Sequence, residues 1–263
     1  MFEKTIDKND SSETILSVER TLLILRRLAE TKGAIGVRDM SRELGYSPAV
    51  TQKILNTLRV HGYVITNEDT HWYSLGPAAL QLGMAMLSQL NVVRIARPFM
   101  ESLTEKTGET TFLAIREGLR AIYIDKEVSS NQVRMDAEVG GSRPLNCTAV
   151  GKIFLAFDDR KLINEAAAAG AFVKSTPNSI IDKVEIEQEI TRTLQNGYAV
   201  DYREFHLEAI CVAAPIFGSN RKPIAALTTS GLASRMEGNI DKIAELVKDI
   251  ANQISNSMGY NAN

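Results

Sequence analysis

Residues 45 to 64, GYSPAVTQKILNTLRVHGYV, carry Lys53, Arg59 and His61 without one carboxylate, and the acid-free window runs from Leu44 through Asn67. At average composition about three acids are expected in such a window. With Val50, Ile54 and Leu58 turned inward as a helical stripe, Ala49, Thr51, Gln52, Lys53 and Asn56 face solvent near the helix start. Gln and Asn can bond adenine bidentately, Thr offers a methyl or a hydroxyl, and Lys meets guanine or phosphate. A carboxylate in the same place would face phosphates at close range. Ser47 stands at the helix head, where free backbone N–H groups suit a phosphate oxygen, and Arg59 adds charge farther along. The plain alternative is an ordinary solvated face that lacks acids by chance.

Catalytic chemistry has one candidate set. Cys147, His206 and Asp201 could be written as nucleophile, base and orienting acid, since such groups need not be adjacent in sequence. Nothing local supports this hydrolase-like reading: the chain has no nucleophile elbow, P-loop or dinucleotide fingerprint. His61, His71 and His206 show no mutual spacing of metal ligands, so neither metal nor cofactor is expected.

The elements that must position these residues follow from periodicity and caps. A helix is expected from an N-cap at Ser17, with Val18, Leu22, Leu25 and Leu28 as its stripe and Gly33 near its end. VRDMSREL gives a two-turn helix with Val37, Met40 and Leu44 on one face and Gly45 as a left-handed cap. Ser47 and Pro48 open the next helix. YVIT and HWYSL then read as a hairpin. Helix, helix, tight turn, helix, hairpin over 14 to 75 is the order of a winged helix-turn-helix. GPAALQLGMAMLSQL is apolar on more than one side, with Leu80, Leu82, Met84, Met86 and Leu87, and needs a cover. A second copy of the chain is the natural one, so 76 to 91 is expected to be a linker and dimerisation helix. From 92 to 263 the pattern is mixed: a helix to Lys106, strands TTFLAIR and RAIYIDKEV around a Glu117–Gly118 turn, a strand in QVRMDAEVGG, a helix in TAVGKIFLAF and another near 182 to 196. Strands ICVAAPIF and PIAALTTSG and a last helix from Gly238 to Ser257 close it.

Composition bounds the reading. The 263 residues are 44% hydrophobic and 24% charged with net charge -2, enough for real cores but without a global attraction to nucleic acid or anionic membranes. Any DNA contact must use a local patch, and residues 14 to 75 hold eight Lys or Arg against six Asp or Glu. That surplus is modest, so affinity is expected to depend on pairing two such domains on one site. Two cysteines suggest a reducing compartment, residues 1 to 13 a mobile tail, and no run approaches the ~20 apolar residues of a membrane span. A soluble, cytoplasmic protein is expected.

Taken together, ILSVERTLLILRRLAE, VRDMSRELGYSPAVTQKILNTLRVHGYV and HWYSLGPAALQLG resemble the DNA-binding half of the IclR-type transcriptional regulators. RPLNCTAVGKIFLAF, NGYAVDYREFHLEAICVAAPIF and PIAALTTSG are similar to that family's effector-binding domain. The resemblance runs from about Ile15 to the end. It implies an α+β chain: a winged helix-turn-helix, a linker helix and a GAF-like effector domain with a six-stranded antiparallel sheet. It further implies a double-stranded DNA operator, a homodimer able to pair again as a dimer of dimers, and a small organic or aromatic acid as effector. Carried over, the family's pocket falls on Ala149, Val150, Asp201, Ala209, Cys211, Thr228 and Ser230. Where many members have His-Ala, this chain has Asn146 and Cys147, beside a strand-to-helix turn whose N–H groups make a ready anion site.

Each of these also has a bland reading. Thr228 and Ser230 share a strand face with Ile224 and Ala226, and their hydroxyls need partners, in a bound carboxylate or in nearby backbone. Asp201 could bond a ligand hydroxyl or cap a turn, and Cys211 could be packing alone. A DNA-binding protein with no ligand would show a filled core in the second half.

Overall fold

The computed structural model describes residues 14–31, 33–89, 91–159 and 161–260, so the expected tail at 1 to 13 lies outside the described residues. Two compact units meet in sequence between Gln89 and Leu90, within the expected linker.

The first unit contains α1 (Leu16–Glu30), α2 (Val37–Leu44), α3 (Pro48–Val60), β1 (Val64–Thr66), β2 (Tyr73–Leu75) and α4 (Pro77–Gln89). Gly45 ends α2 at φ 69°, a left-handed conformation that favours glycine. The Ser47 hydroxyl accepts the Val50 N–H and caps α3, with Pro48 as its first residue. β1 and β2 pair antiparallel, and Asn67 Oδ1 closes the wing by accepting the N–H groups of Asp69 and Thr70. Ile24, Leu28, Met40, Leu55, Leu58, Val64 and Tyr73 make the core.

Three local expectations are corrected. Ile15, not Ser17, sits at the head of α1 and gives no side-chain cap. Val18 and Leu22 are 51% and 54% exposed while Ile24 and Leu28 are buried. This helix is apolar on two sides, so periodicity alone does not choose the inner one. On α3 the buried stripe is Thr51, Leu55 and Leu58 in place of Val50, Ile54 and Leu58. Polar Thr51 can go inside because its hydroxyl accepts from Ser41 Oγ at 2.9 Å and can donate to Ser47 O at 3.2 Å. On α4, Leu80, Leu82 and Met84 are each more than half exposed, as expected of a helix awaiting a cover, whereas the side chains of Met86 and Leu87 lie outside the described residues.

The second unit runs α5 (Asn91–Thr107), β3 (Thr110–Glu117), β4 (Arg120–Glu127), β5 (Ser142–Pro144), α6 (Ala149–Phe157), α7 (Lys161–Ala168), α8 (Lys183–Asn196), β6 (Ala199–Tyr202), β7 (Ala209–Phe217), β8 (Pro223–Leu232), α9 (Ala233–Met236) and α10 (Ile240–Ser257). The six strands form one sheet, β5-β4-β3-β8-β7-β6, with every neighbouring pair antiparallel. One face, with Phe112, Ala114, Ala121, Tyr123, Ala199, Ala213 and Ala226, packs under α6 and α8. α5 and α10 pack together against the other.

QVRMDAEVGG forms no strand. Its charged residues Arg134, Asp136 and Glu138 are exposed, and the segment stays irregular until β5, touching the sheet where Gly140 and Gly141 bond to Tyr123. Glu117 belongs to β3 and pairs with Arg120, so the expected Glu117–Gly118 turn moves one residue on, to Gly118 and Leu119. Among the described residues no helix is long and apolar enough to cross a membrane.

Candidate functional site

On the first unit, α3 presents Ser47, Ala49, Lys53, Asn56 and Arg59 to solvent, and no acidic residue is in its first turn. Thr51 is not part of this surface: it is fully buried and holds α2 to α3. Gln52 is partly buried, and its Nε2 donates to Tyr73 Oη on β2 at 2.8 Å and to Asn56 Oδ1 at 3.1 Å. The amide is thereby committed on its donor side, which leaves Gln52 Oε1 as acceptor and Asn56 Nδ2 as donor. An acceptor and a donor one helical turn apart can read the edge of a base pair in the major groove.

On the second unit, the site is built by register. Asp201 on β6 pairs with Cys211 on β7, and Cys211 pairs with Ser230 on β8, so these three stand side by side on the face under α6. Ala209 is two residues before Cys211 and shares its face. α6 is seated over this row because Gly151 has no side chain: a Cβ there would stand 2.4 Å from Leu145 Cα. Thr148 caps the helix by accepting the Gly151 N–H and donates to Pro144 O at 2.7 Å. The N–H groups of Ala149 and Val150 therefore head a buried helix outside its own ladder of hydrogen bonds.

Below them, buried Lys152 donates to Glu189 at 3.0 Å, Glu204 at 2.5 Å and Val200 O at 2.7 Å, tying α6 to α8 and to the β6–β7 loop. Asp201 Oδ1 accepts from the N–H groups of Glu204 and Phe205. It is a turn cap, with its pKa raised to about 7 by burial. Thr228 Oγ1 donates to Val212 O at 2.9 Å, so it can meet a ligand only as an acceptor. Ser230 stands opposite Cys211 in the register, and burial pushes the ionisation of the Cys211 thiol well up.

Asn146 and Cys147 serve the scaffold. The Asn146 amide clasps Val173 and Ile180, using both donors and its acceptor. Cys147 Sγ lies 3.8 Å from Ser175 Oγ, and burial pushes its pKa up to about 11, opposite to an activated nucleophile. His206 is exposed and shares no hydrogen bond with Cys147 among the described residues, so the Cys147–His206–Asp201 set does not assemble.

Sequence reasoning passed over Tyr123, Arg143 and Phe205. Tyr123 stacks on Phe112 with ring centroids 4.6 Å apart, and the Arg143 guanidinium lies 4.9 Å from the Tyr123 ring and 5.4 Å from the Phe205 ring. A three-residue strand such as β5 carries no alternation from which Arg143 could have been placed. Two open depressions of about 520 and 410 Å³ lie elsewhere, lined by Glu101, Thr104 and Glu127 and by Lys106, Glu109 and Arg235. Neither includes an expected effector residue.

A winged helix-turn-helix and a helix-covered six-stranded sheet in one chain define a DNA-binding transcription regulator with an effector domain. The IclR helix-turn-helix domain matches residues 17–68, and the bacterial transcriptional regulator IclR C-terminal domain matches residues 84–256. The chain belongs to the IclR family. It is 30% identical to the HTH-type transcriptional repressor AllR of Salmonella typhi, over 92% of this chain and 90% of that one. It is 28% identical to the HTH-type transcriptional regulator XynR of Escherichia coli, over 94% and 99%. The crystal structure of the Thermotoga maritima IclR superposes with a TM-score of 0.71 at 28% identity, over 93% and 99%. The relatives are regulators, and this chain is not an enzyme.

Proposed function

We propose that the protein binds a palindromic operator as a homodimer, able to pair again as a dimer of dimers, and releases or holds it according to a small organic or aromatic acid. The acid occupies the sheet face under the head of α6. The register Asp201–Cys211–Ser230 beneath the unladdered N–H groups of Ala149 and Val150 carries this reading, because it gathers polar groups on a face built mainly of apolar residues. Cys211 lies in an inner strand of the sheet and still keeps partial exposure, which gives access to the row. The exposed Leu80, Leu82 and Met84 of α4 support a second copy of the chain as cover.

A thermal-shift screen of organic and aromatic acids tests the sensor, since a ligand bound only by the folded state raises its melting temperature. A shift lost in Ser230→Ala supports the placement. No shift with any acid contradicts it and favours a DNA-binding protein with a filled core.

A further inference from the structure

Arg143 has an environment that the expected site residues do not explain. It stands opposite Ala121 in the β4–β5 register, and Ala121 belongs to the sheet face under α6, so Arg143 projects to the same side as Asp201, Cys211 and Ser230. Its guanidinium lies over the Tyr123 ring and near the Phe205 ring. Nη1 donates to Ser142 O at 3.0 Å. Among the described residues no carboxylate forms an ion pair with Arg143. Arg120, bonded to Ser142 Oγ, has its pKa lowered by burial and by Arg143.

The Arg143 guanidinium, set beside an apolar sheet face with no carboxylate paired to it among the described residues, is costly to keep there unless an anion joins it. The fold maintains the arrangement by stacking: Phe112 backs Tyr123, and Tyr123 and Phe205 flank the Arg143 fork, which restricts it before any ligand arrives. Phe205 is itself placed by Asp201, which accepts its N–H, so the polar row and the guanidinium share one loop.

We infer that Arg143 is the carboxylate anchor of the effector site, binding a planar carboxylate through its fork while the rest of the ligand lies along the Tyr123 ring toward Cys211 and Ser230. This rests on the acid-sensing reading above and deepens it. The ligand class is a monocarboxylic acid with a flat or short body and a polar group at the far end, and the corresponding amide is rejected. A guanidinium forms two parallel charge-assisted hydrogen bonds to a carboxylate and cannot do so to an amide.

The experiment measures binding by calorimetry to benzoate, 4-hydroxybenzoate and lactate, each beside its primary amide, in the full chain and in Arg143→Gln, Arg143→Lys and Ser230→Ala. Circular dichroism checks that each variant is folded. The expected result is at least a ~10-fold preference of the full chain for one acid over its amide, abolished in Arg143→Gln and reduced in Arg143→Lys. If Arg143→Gln fails to fold, Arg143→Lys decides, and an undiminished preference there overturns the anchor. A preference that persists in Arg143→Gln while Ser230→Ala loses binding overturns the anchor and leaves the sensor reading standing. Absence of binding by all three acids at millimolar concentration overturns both.

Discussion

The Tyr73 hydroxyl on the second strand of the wing accepts a hydrogen bond from Gln52 Nε2 on α3 at 2.8 Å. The wing therefore orients a side chain of the helix proposed to enter the major groove, and it does so from a residue that is itself buried in the core of the unit. Tyr73→Phe keeps the ring and removes the acceptor. Operator affinity is expected to fall by ~1 kcal/mol with discrimination at one base pair relaxed, and affinity for random duplex to stay within twofold. Anisotropy titrations on a set of single-base operator variants check this.

Thr51 replaces an expected apolar residue inside the unit, and its partner Ser41 is buried with it. Thr51→Val preserves shape and strands the Ser41 hydroxyl. A loss of ~1–2 kcal/mol of stability is expected, read from chemical denaturation followed at Trp72. Thr51→Ser keeps the hydroxyl and is expected to restore the Ser41 bond.

Lys152 is held by two carboxylates and a carbonyl, and Glu204 Oε2 is buried without a partner. Lys152→Met leaves the acids uncompensated and is expected to cost ~3–5 kcal/mol. Lys152→Met combined with Glu204→Gln is expected to recover part of that loss, because the stranded charge, not the missing bond, carries most of it. Melting temperatures of the single and double variants decide.

Asp201 titrates at about 7 in the folded chain because burial disfavours its charge, with Glu204 adding to the shift and Lys152 opposing it. Its unfolded value lies near ~4. Between those values the folded chain keeps a proton that the unfolded chain has released, so this group's contribution to stability is full below pH ~4 and is lost as pH rises through about 7. Asp201→Asn keeps an acceptor for the Glu204 and Phe205 N–H groups and removes the titration. Its melting temperature is expected to gain on the parent between pH 5 and 8; parallel profiles would show that Asp201 is ionised throughout.

The parts of the fold legible from sequence were those with a local physical signature. Gly45, Ser47 with Pro48, and Thr148 fix helix ends through caps that depend on a few neighbouring residues. Which face of α1 or α3 turns inward was less accessible, because Ile24 competes with Leu22, and Thr51 with Val50, for the same core, and the outcome depends on Ser41 from another helix. The irregular segment before β5 and the short β6 gave no usable periodicity. At the site, the partners of Asn146 are far along the chain, at Val173 and Ile180. The stacking of Arg143 joins β4, β5 and the β6–β7 loop, a meeting that only the tertiary fold creates.

The central claim is that a small acid on the sheet face changes the hold of α3 on DNA. A ligand can do so only by binding one arrangement of the DNA-bound dimer better than another. The direct measurement is the dissociation constant for an operator selected from random duplex, taken with and without a saturating amount of whichever acid raises the melting temperature most. The account predicts a shift of at least ~5-fold in either direction, abolished in Ser230→Ala. Equal affinities with the site filled would contradict it.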